Sequence, residues 1–344
     1  MFQLTRRQLS AVLVVALMLS GAPVHARAVH DIKGKSINIP QNLNRIADLW
    51  HANNQVVLLL GGAPKLVATT NVIQKNPWFA AVFPKIKKVP ALTDGQSIQP
   101  EALMAVRPDA VLMSGADMQR QVERAGMKAV LVNFQDFNGL RKTVKITADV
   151  IGGNAPAIAQ TYINELDGNI SLVSNRLKGL PENQKPSVLH LTGGSNLLEI
   201  DGGKSMIGEW VRYAGGRNAL PTYGNKAVVS METLIKAKPD VIIIGSGSQG
   251  GSKAVAAIKK DLKWQSIPAV RAGRVYANPS GTFSWDRYSA EAALQILWAA
   301  KLMHPDRFKD IDIAAKAQVF YKKYYGYNLS RPNAERIIAG QAPQ

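Results

Sequence analysis

Two stretches of this chain follow the same pattern and decide its fold. Residues 98–115 read IQPEALMAVRPDAVLMSG, and residues 229–246 read VSMETLIKAKPDVIIIGS. When the two stretches are aligned without gaps, identical residues match at four positions: Glu101 with Glu232, Leu103 with Leu234, Pro108 with Pro239, and Asp109 with Asp240. Each copy starts a short helix near its glutamate, whose charge suits the positive helix end, and then breaks it with Pro-Asp. The apolar run that follows is typical of a strand buried on both faces of a parallel sheet.

The wide separation of the two copies indicates two lobes of similar topology, because a solenoid would need several closer copies. Apolar runs alternate with helical segments in both halves, which favours α/β lobes with mainly parallel sheets. The fold class is therefore two Rossmann-like α/β lobes, joined by one long connecting helix, with a ligand cleft between them. The predicted divisions are a signal peptide (1–26), an N-terminal lobe (27–153), a connecting helix (154–180), a C-terminal lobe (181–329) and a poorly ordered tail (330–344).

The first residues have the form of an export signal. Arg6 and Arg7 precede an apolar run at residues 9–19, and small residues mark a cleavage site near Ala26. The paired arginines fit either a Sec or a twin-arginine signal, and the alternative is a retained membrane anchor. The chain has no cysteine, so it offers neither disulfides nor a lipid-accepting thiol. We therefore expect a free periplasmic protein.

Composition narrows the partners without naming the ligand. The 344 residues are 46% hydrophobic, as in a globular protein, and the formal net charge is +18. Such a surface attracts anions. Nucleic acid is excluded as the partner, because the chain is exported and lacks a basic-aromatic recognition motif.

Several motifs, taken in order, carry a family resemblance. They are Asp31-x-x-Gly34 with Pro40 and Arg45-Ile46, the two Pro-Asp repeats, Pro279-Ser-Gly-Thr-Phe-Ser-Trp285-Asp-Arg287, and Phe320-Tyr-Lys-Lys-Tyr-Tyr-Gly326. The chain resembles the helical-backbone (class III) periplasmic substrate-binding proteins of ABC importers, the group that serves siderophores, haem, cobalamin and some oxyanions. The resemblance implies a monomeric receptor, not an enzyme, without an intrinsic cofactor. It would reach the membrane only through the importer's permease, which its ATPase drives.

The resemblance also gives the repeated glutamates a role. Glu101 and Glu232 would dock the two lobes on arginines of the permease, a two-point contact that reads lobe geometry. The alternative is that each glutamate only favours the start of its helix.

Ligand contacts are expected in loops beyond the carboxyl ends of the strands. The candidates are Trp50, His51, Thr70, Ser97, Lys204, Tyr223, Trp285 and Arg287. Trp285 and Arg287 lead, because an indole beside a guanidinium can meet an anionic aromatic chelate by stacking and charge. The alternative for that pair is a local salt bridge to Asp286 over a packed Trp. His51 is a candidate metal ligand, and His190 is a weaker one; a lone histidine is more often structural.

The ligand itself stays open at this point. A ferric siderophore leads, followed by haem or a corrinoid, an oxyanion such as molybdate or tungstate, and a nickel or cobalt complex. A rival of another class is an NAD(P)-dependent enzyme, since residues 245–250 fit a dinucleotide-binding pattern. The enzyme hypothesis is weakened by the first copy of the repeat, which has Ser114-Gly115-Ala116-Asp117 at the matching place and lacks the required glycines.

Overall fold

The computed structural model describes residues 26–95, 97–245 and 250–344. The predicted signal peptide, apart from Ala26, and the centre of the glycine pattern at residues 246–249 lie outside the described residues. Within the described part, no helix is both long and apolar enough to cross a bilayer.

Strands and helices alternate along most of the chain. The strands are β1 (Ala26–His30), β2 (Ser36–Pro40), β3 (Ile46–Asp48), β4 (Leu66–Thr70), β5 (Ala91–Thr93), β6 (Ala110–Met113), β7 (Ala129–Leu131), β8 (Ser187–Leu191), β9 (Glu199–Ile200), β10 (Arg217–Asn218), β11 (Ala227–Val228), β12 (Val241–Ile244) and β13 (Val275–Ala277). The helices are α1 (His51–Leu59), α2 (Asn71–Gln74), α3 (Pro77–Val82), α4 (Pro100–Ala105), α5 (Ala116–Arg124), α6 (Phe137–Ile151), α7 (Ala155–Arg176), α8 (Met206–Tyr213), α9 (Met231–Ala237), α10 (Gly250–Lys260), α11 (Pro268–Arg271), α12 (Ala292–Met303), α13 (Ile313–Tyr325) and α14 (Arg331–Ile338).

Each lobe is built on a mainly parallel sheet. The N-terminal sheet runs β5-β4-β3-β6-β7, and all of its pairs are parallel. In the C-terminal sheet, β10, β8, β12 and β13 pair in parallel, while β9 and β11 add antiparallel pairs at one edge. The predicted fold class of two α/β lobes is confirmed.

The repeated sequence builds the same joint in both lobes. A basic residue with left-handed backbone follows each helix within two residues: Arg107 (φ 41°) after α4 and Lys238 (φ 45°) after α9. The next strand is β6 in the first case and β12 in the second. The Asp109 carboxylate then accepts backbone N–H groups at the start of the neighbouring strand, from Asn44 at 2.8 Å and Arg45 at 2.9 Å. Its repeat partner does the same in the other lobe.

There, the Asp240 carboxylate accepts the backbone N–H of Ser187 at 2.8 Å, at the start of β8. The repeated aspartate therefore links the start of β6 to the start of β3 in one lobe, and the start of β12 to the start of β8 in the other.

One long helix contacts both lobes. Helix α7 packs on α6 of the N-terminal lobe and on α12 of the C-terminal lobe. Tyr162, fully buried on α7, donates its hydroxyl to the backbone carbonyl of Ala290 at 2.8 Å, and Asn169 donates to Ala293 at 2.9 Å.

The expectation of a poorly ordered tail at residues 330–344 is wrong for most of that segment. Ser330 caps α14 by accepting the backbone N–H of Asn333, and Ala334 and Ile337 of this helix are fully buried. Beyond the helix, Trp78 of the N-terminal lobe donates its indole N–H to the carbonyl of Gln341 at 2.8 Å. Apolar burial and this bond hold the segment across both lobes.

We predict that Asp109→Ala and Asp240→Ala each lower the free energy of unfolding by about 1 to 2 kcal/mol, because each leaves backbone donors without a charged acceptor. Both carboxylates are partly exposed, which limits the effect. Urea unfolding at neutral pH would measure it. The matched control is Asp306→Ala, whose carboxylate forms an exposed ion pair with Lys309, and we expect it to cost at most about 0.5 kcal/mol. Equal losses for all three variants would contradict this role of the repeat.

Candidate functional site

A cavity of about 590 Å³ lies between the lobes. The parallel strands place it, because α1, α2 and the loops after β8, β12 and β13 all begin at carboxyl ends of strands. The N-terminal lobe contributes His51, Asn71, Val72, Lys75 and Asn76. The C-terminal lobe contributes Thr192, Gly194, Glu199, Lys226, Gly245, Ser280, Phe283, Ser284, Asp286, Arg287 and Tyr288.

His51 is the leading polar group of the N-terminal wall. It is the first residue of α1, and its ring lies 5.5 Å from that of Phe283 across the cavity. Burial, and then the Lys226 ammonium, lowers the pKa of His51 below its ordinary value, so the imidazole is neutral at pH 7. Its buried Nδ1 has no hydrogen-bond partner among the described residues. A neutral imidazole in this state can accept a hydrogen bond or ligate a metal.

A buried ionic cluster forms the back of the C-terminal wall. His190, on β8, lies between Asp201 and Asp286, with nitrogen–oxygen distances of 3.0 and 2.9 Å. Arg287 donates to the same Asp201 oxygen from the cavity side. Burial alone would raise the pKa of Asp201, but His190 and Arg287 outweigh it and lower that pKa to about 2.

Two glycines allow the loops of this wall to meet. Gly193 has φ of 79°, and a Cβ there would lie 1.5 Å from the carbonyl oxygen of Gly245. A Cβ on Gly245 would in turn lie 2.8 Å from the Thr192 carbonyl and 3.0 Å from an Asp286 oxygen. The loop after β8 therefore packs directly on the end of β12, close to the ionic cluster.

The mouth of the cavity is positively charged and partly aromatic. Lys75 and Lys226, one from each lobe, are exposed, and neither forms an ion pair with a described residue. Glu199 is a half-buried acid on the same lining, and Phe283 and Tyr288 present half-buried rings.

Four buried polar atoms of lining residues have no hydrogen-bond partner within the described chain. They are His51 Nδ1, Asn71 Oδ1, Thr192 Oγ1 and Asp286 Oδ1. Two come from each lobe. Since buried polar groups in proteins are normally paired, these atoms point to hydrogen bonds made with a ligand that contacts both walls.

Of the eight predicted contact residues, the structure brings His51 and Arg287 to the cavity. Trp285 is not available for stacking, because it is fully buried, and its indole N–H has no hydrogen-bond partner among the described residues. The predicted Arg287–Asp286 pair is replaced by pairing of Arg287 with Asp201. Trp50 is buried too, with its ring 5.2 Å from that of Phe134.

The other four candidates do not line this cavity. Thr70 is fully buried as the N-cap of α2, and Ser97 is exposed and bonded to Asp94. Lys204 lines a separate cavity of about 270 Å³, and Tyr223 packs on the C-terminal core. Sequence reasoning selected loops that line the cavity more often than side chains that line it. It missed Lys75, Lys226, Glu199, Asp201, Phe283 and Tyr288, of which Phe283 lies within the quoted Trp285 motif and Tyr288 directly follows it.

The repeated glutamates lie outside the cavity. Glu101 and Glu232 are both exposed, and both occupy the first turn of a short helix, α4 and α9. The described residues contain no group of three or more His, Cys, Asp or Glu side chains arranged to hold a metal ion.

Two α/β lobes that share a cavity beyond their strand ends are arranged to hold a small ligand between them. Residues 46–282 match the model of the periplasmic binding protein family, and the chain belongs to that family, in its class III branch. Members of this family are solute-binding proteins of ABC transporters, not enzymes, and they carry transported ligands, not cofactors. The family is periplasmic.

Individual relatives bind different ligands. The molybdate-binding protein MolA of Haemophilus influenzae is 23% identical, over 94% of this chain and 99% of its own length. The haem uptake protein IsdE of Staphylococcus aureus is 28% identical, over 60% of this chain and 71% of its own length. A periplasmic solute-binding protein from Veillonella parvula has a similar fold, with a TM-score of 0.80, 23% identity, and coverage of 92% of this chain and 97% of that one.

We predict that Gly193→Ala lowers the free energy of unfolding by more than about 2 kcal/mol, because it combines a positive φ with a backbone clash. The adjacent Gly194→Ala is the matched control, since its nearest contact would be Thr192 Oγ1 at 3.9 Å. Thermal or urea unfolding compares the two variants. A Gly193→Ala protein as stable as Gly194→Ala would show that the two loops do not meet in this way.

Proposed function

We propose that this protein is the periplasmic receptor of an ABC importer for an anionic organic metal complex of the ferric-siderophore type. The observation that carries the proposal is the inter-lobe cavity, with its positive mouth, half-buried rings and unpaired polar atoms on both walls. Three of its properties support this class of ligand.

The first property is size. The cavity of about 590 Å³ falls within the range of about 300 to 1,000 Å³ that is common for sites of drug-sized organic ligands. A bare tetrahedral oxyanion would contact only a small part of such a lining.

The second property is charge. Lys75 and Lys226 approach from opposite lobes, and Glu199 is the lining acid outside the ionic cluster; within that cluster, Asp286 faces His190 and Arg287 pairs with Asp201. An anionic ligand would therefore be attracted from both sides.

The third property is the kind of hydrogen bond that the walls offer. Asp286 Oδ1 is an acceptor, and His51 Nδ1 can be one, so both suit ligand O–H or N–H groups. The amide N–H groups of a siderophore backbone are such donors, since its catechol or hydroxamate O–H groups lose their protons on binding iron, whereas molybdate presents oxygen acceptors. His51 could in addition ligate an exposed position of the metal.

The second candidate ligand is a molybdate-type oxyanion. It is favoured by the similarity to MolA, which extends over nearly the whole length of both chains. The lysines and Arg287 would supply its charge partners.

A ligand screen separates the two candidates. The protein without residues 1–26 would be mixed with ferric catecholate and hydroxamate siderophores, haemin, molybdate, tungstate, nickel and NAD, and its melting temperature measured. A ligand at a thousandfold excess over its dissociation constant adds about 4 kcal/mol of stability. We expect this shift with a ferric siderophore. A shift with molybdate alone would select the second candidate, and a shift with NAD alone would reject both.

We predict that Lys226→Gln weakens binding of the ferric siderophore about three- to tenfold, and that added salt weakens wild-type binding more than variant binding. Titration calorimetry at two salt concentrations measures both effects. The control is Lys178→Gln, an exposed lysine that does not line the cavity. If the two variants bind equally well, the positive mouth has no part in capture.

For delivery, we propose that Glu101 and Glu232 dock the lobes on basic residues of the permease. Their equal placement on the first turns of α4 and α9 supports a two-point contact.

We predict that the double variant Glu101→Lys, Glu232→Lys leaves ligand affinity unchanged but lowers receptor-stimulated ATPase activity of the reconstituted importer at least tenfold. The control exchanges Glu182, which lies on another exposed turn and pairs with Lys185. Unchanged ATPase stimulation by the double variant would reject this docking role.

A further inference from the structure

The ionic cluster behind the cavity contains a histidine that does not line the cavity itself. His190 has no exposed surface, and its two ring nitrogens face two different carboxylates. Nδ1 lies 3.0 Å from an Asp201 oxygen, and Nε2 lies 2.9 Å from an Asp286 oxygen.

The Nε2–Asp286 contact is a hydrogen bond, whereas the Nδ1–Asp201 contact has the distance of an ion pair but not the geometry of a hydrogen bond. A neutral imidazole carries a single N–H, so one carboxylate would face a nitrogen lone pair, whereas an imidazolium carries an N–H on both sides. Burial acts to lower the pKa of His190, but the two carboxylates act more strongly, and the pKa is raised overall.

Few other groups act on this ring. Trp210 of α8 presents an uncharged ring 6.1 Å away, and the strand partner on β12 is the apolar Ile243. Arg287 and the backbone N–H of Lys226 both bond to Asp201, not to the histidine. The charged groups that face His190 are thus Asp201 and Asp286.

The charges of the cluster balance only when this histidine is protonated. Two carboxylates, one guanidinium and one imidazolium sum to zero, and a neutral imidazole would leave one negative charge behind the wall. Asp201 holds Arg287 at the cavity through the same oxygen that faces His190.

We propose that His190 is a positioning residue that makes the cavity selective for anions. As a buried imidazolium, it cancels one carboxylate and fixes Asp201, so that Arg287 is held on the wall without net negative charge behind it. The identity of the ligand is not needed for this inference.

The charge state has a consequence for stability. Because its folded-state pKa is raised, His190 stabilises the fold fully below its unfolded-state pKa of about 6.5. That contribution is lost as pH rises through the folded-state pKa.

The first test is an NMR titration of the protein labelled with ¹⁵N in its histidine rings, with His190→Asn identifying the signal. We expect both ring nitrogens of His190 to remain protonated at pH values where histidine in the urea-unfolded protein is already neutral. Asp286→Asn should move the titration midpoint to lower pH. This variant keeps the histidine, so it serves even if His190→Asn fails to fold. A His190 ring that is neutral at pH 6.5 would overturn the proposal.

The second test measures binding of a ferric bis-catecholate, and separately of molybdate, between pH 6 and 9. For whichever anion binds the wild type, affinity should fall by about tenfold or more as His190 loses its proton. His190→Asn should show the weaker affinity at every pH, with a flat profile. An unchanged profile in His190→Asn would overturn the role in anion selectivity.

The two proposals fail in different ways. If neither anion binds the wild type, the proposed function fails. The ring titration still decides whether His190 is an imidazolium. A second NMR measurement decides whether His190 positions Arg287: it compares the ¹⁵Nε signal of Arg287 between wild type and Asp286→Asn at high pH. An Arg287 signal that stays the same whether or not His190 is protonated would overturn the positioning role.

Discussion

The width of the cavity depends on a small set of hydrogen bonds that join the two lobes beside it. The side-chain oxygen of Gln55, on α1, accepts the backbone N–H of Ala290 at 2.8 Å, and its nitrogen donates to the Tyr325 hydroxyl at 2.9 Å. Asn76, which lines the cavity, donates to the Thr282 carbonyl of the opposite lobe at 3.2 Å. Gln55 is fully buried, so breaking its bonds would leave polar groups unpaired at a cost of about 1 to 3 kcal/mol each.

These bonds act together with α7, which contacts both lobes, and with the segment after α14, where Trp78 of the N-terminal lobe donates to the Gln341 carbonyl. A binding site whose walls are tied at its base gives up little conformational freedom when a ligand enters. The expectation of modest lobe closure remains a prediction, and the contacts at Gln55, Asn76 and Trp78 supply a physical reason for it.

How much the sequence could predict depended on whether a feature is local or assembled from distant segments. The two Pro-Asp repeats specify helix, break and strand within 18 residues, and both units formed as predicted. The side chains at the cavity depend on packing between lobes, which no local pattern encodes. Trp285 shows this limit: its motif lies in a binding loop, but the large apolar ring packed inward while Phe283 and Tyr288 faced the cavity.

The C-terminal segment shows a second limit. Its helix is short and carries few apolar residues, and its burial comes from Ala334, Ile337 and a backbone contact with Trp78, 263 positions earlier. The ionic cluster was missed for a related reason. Asp201 and Asp286 lie on separate loops, and a single histidine within an apolar strand gives no sign of two carboxylate partners.

The central claim is that the inter-lobe cavity captures an anionic organic metal complex. Native mass spectrometry of the protein, purified from the periplasm of iron-limited cells without added ligand, tests it most directly. The account predicts a bound species whose mass includes iron and an organic chelator, lost when the protein is denatured. A bound molybdate, or a bound nucleotide cofactor, would contradict it.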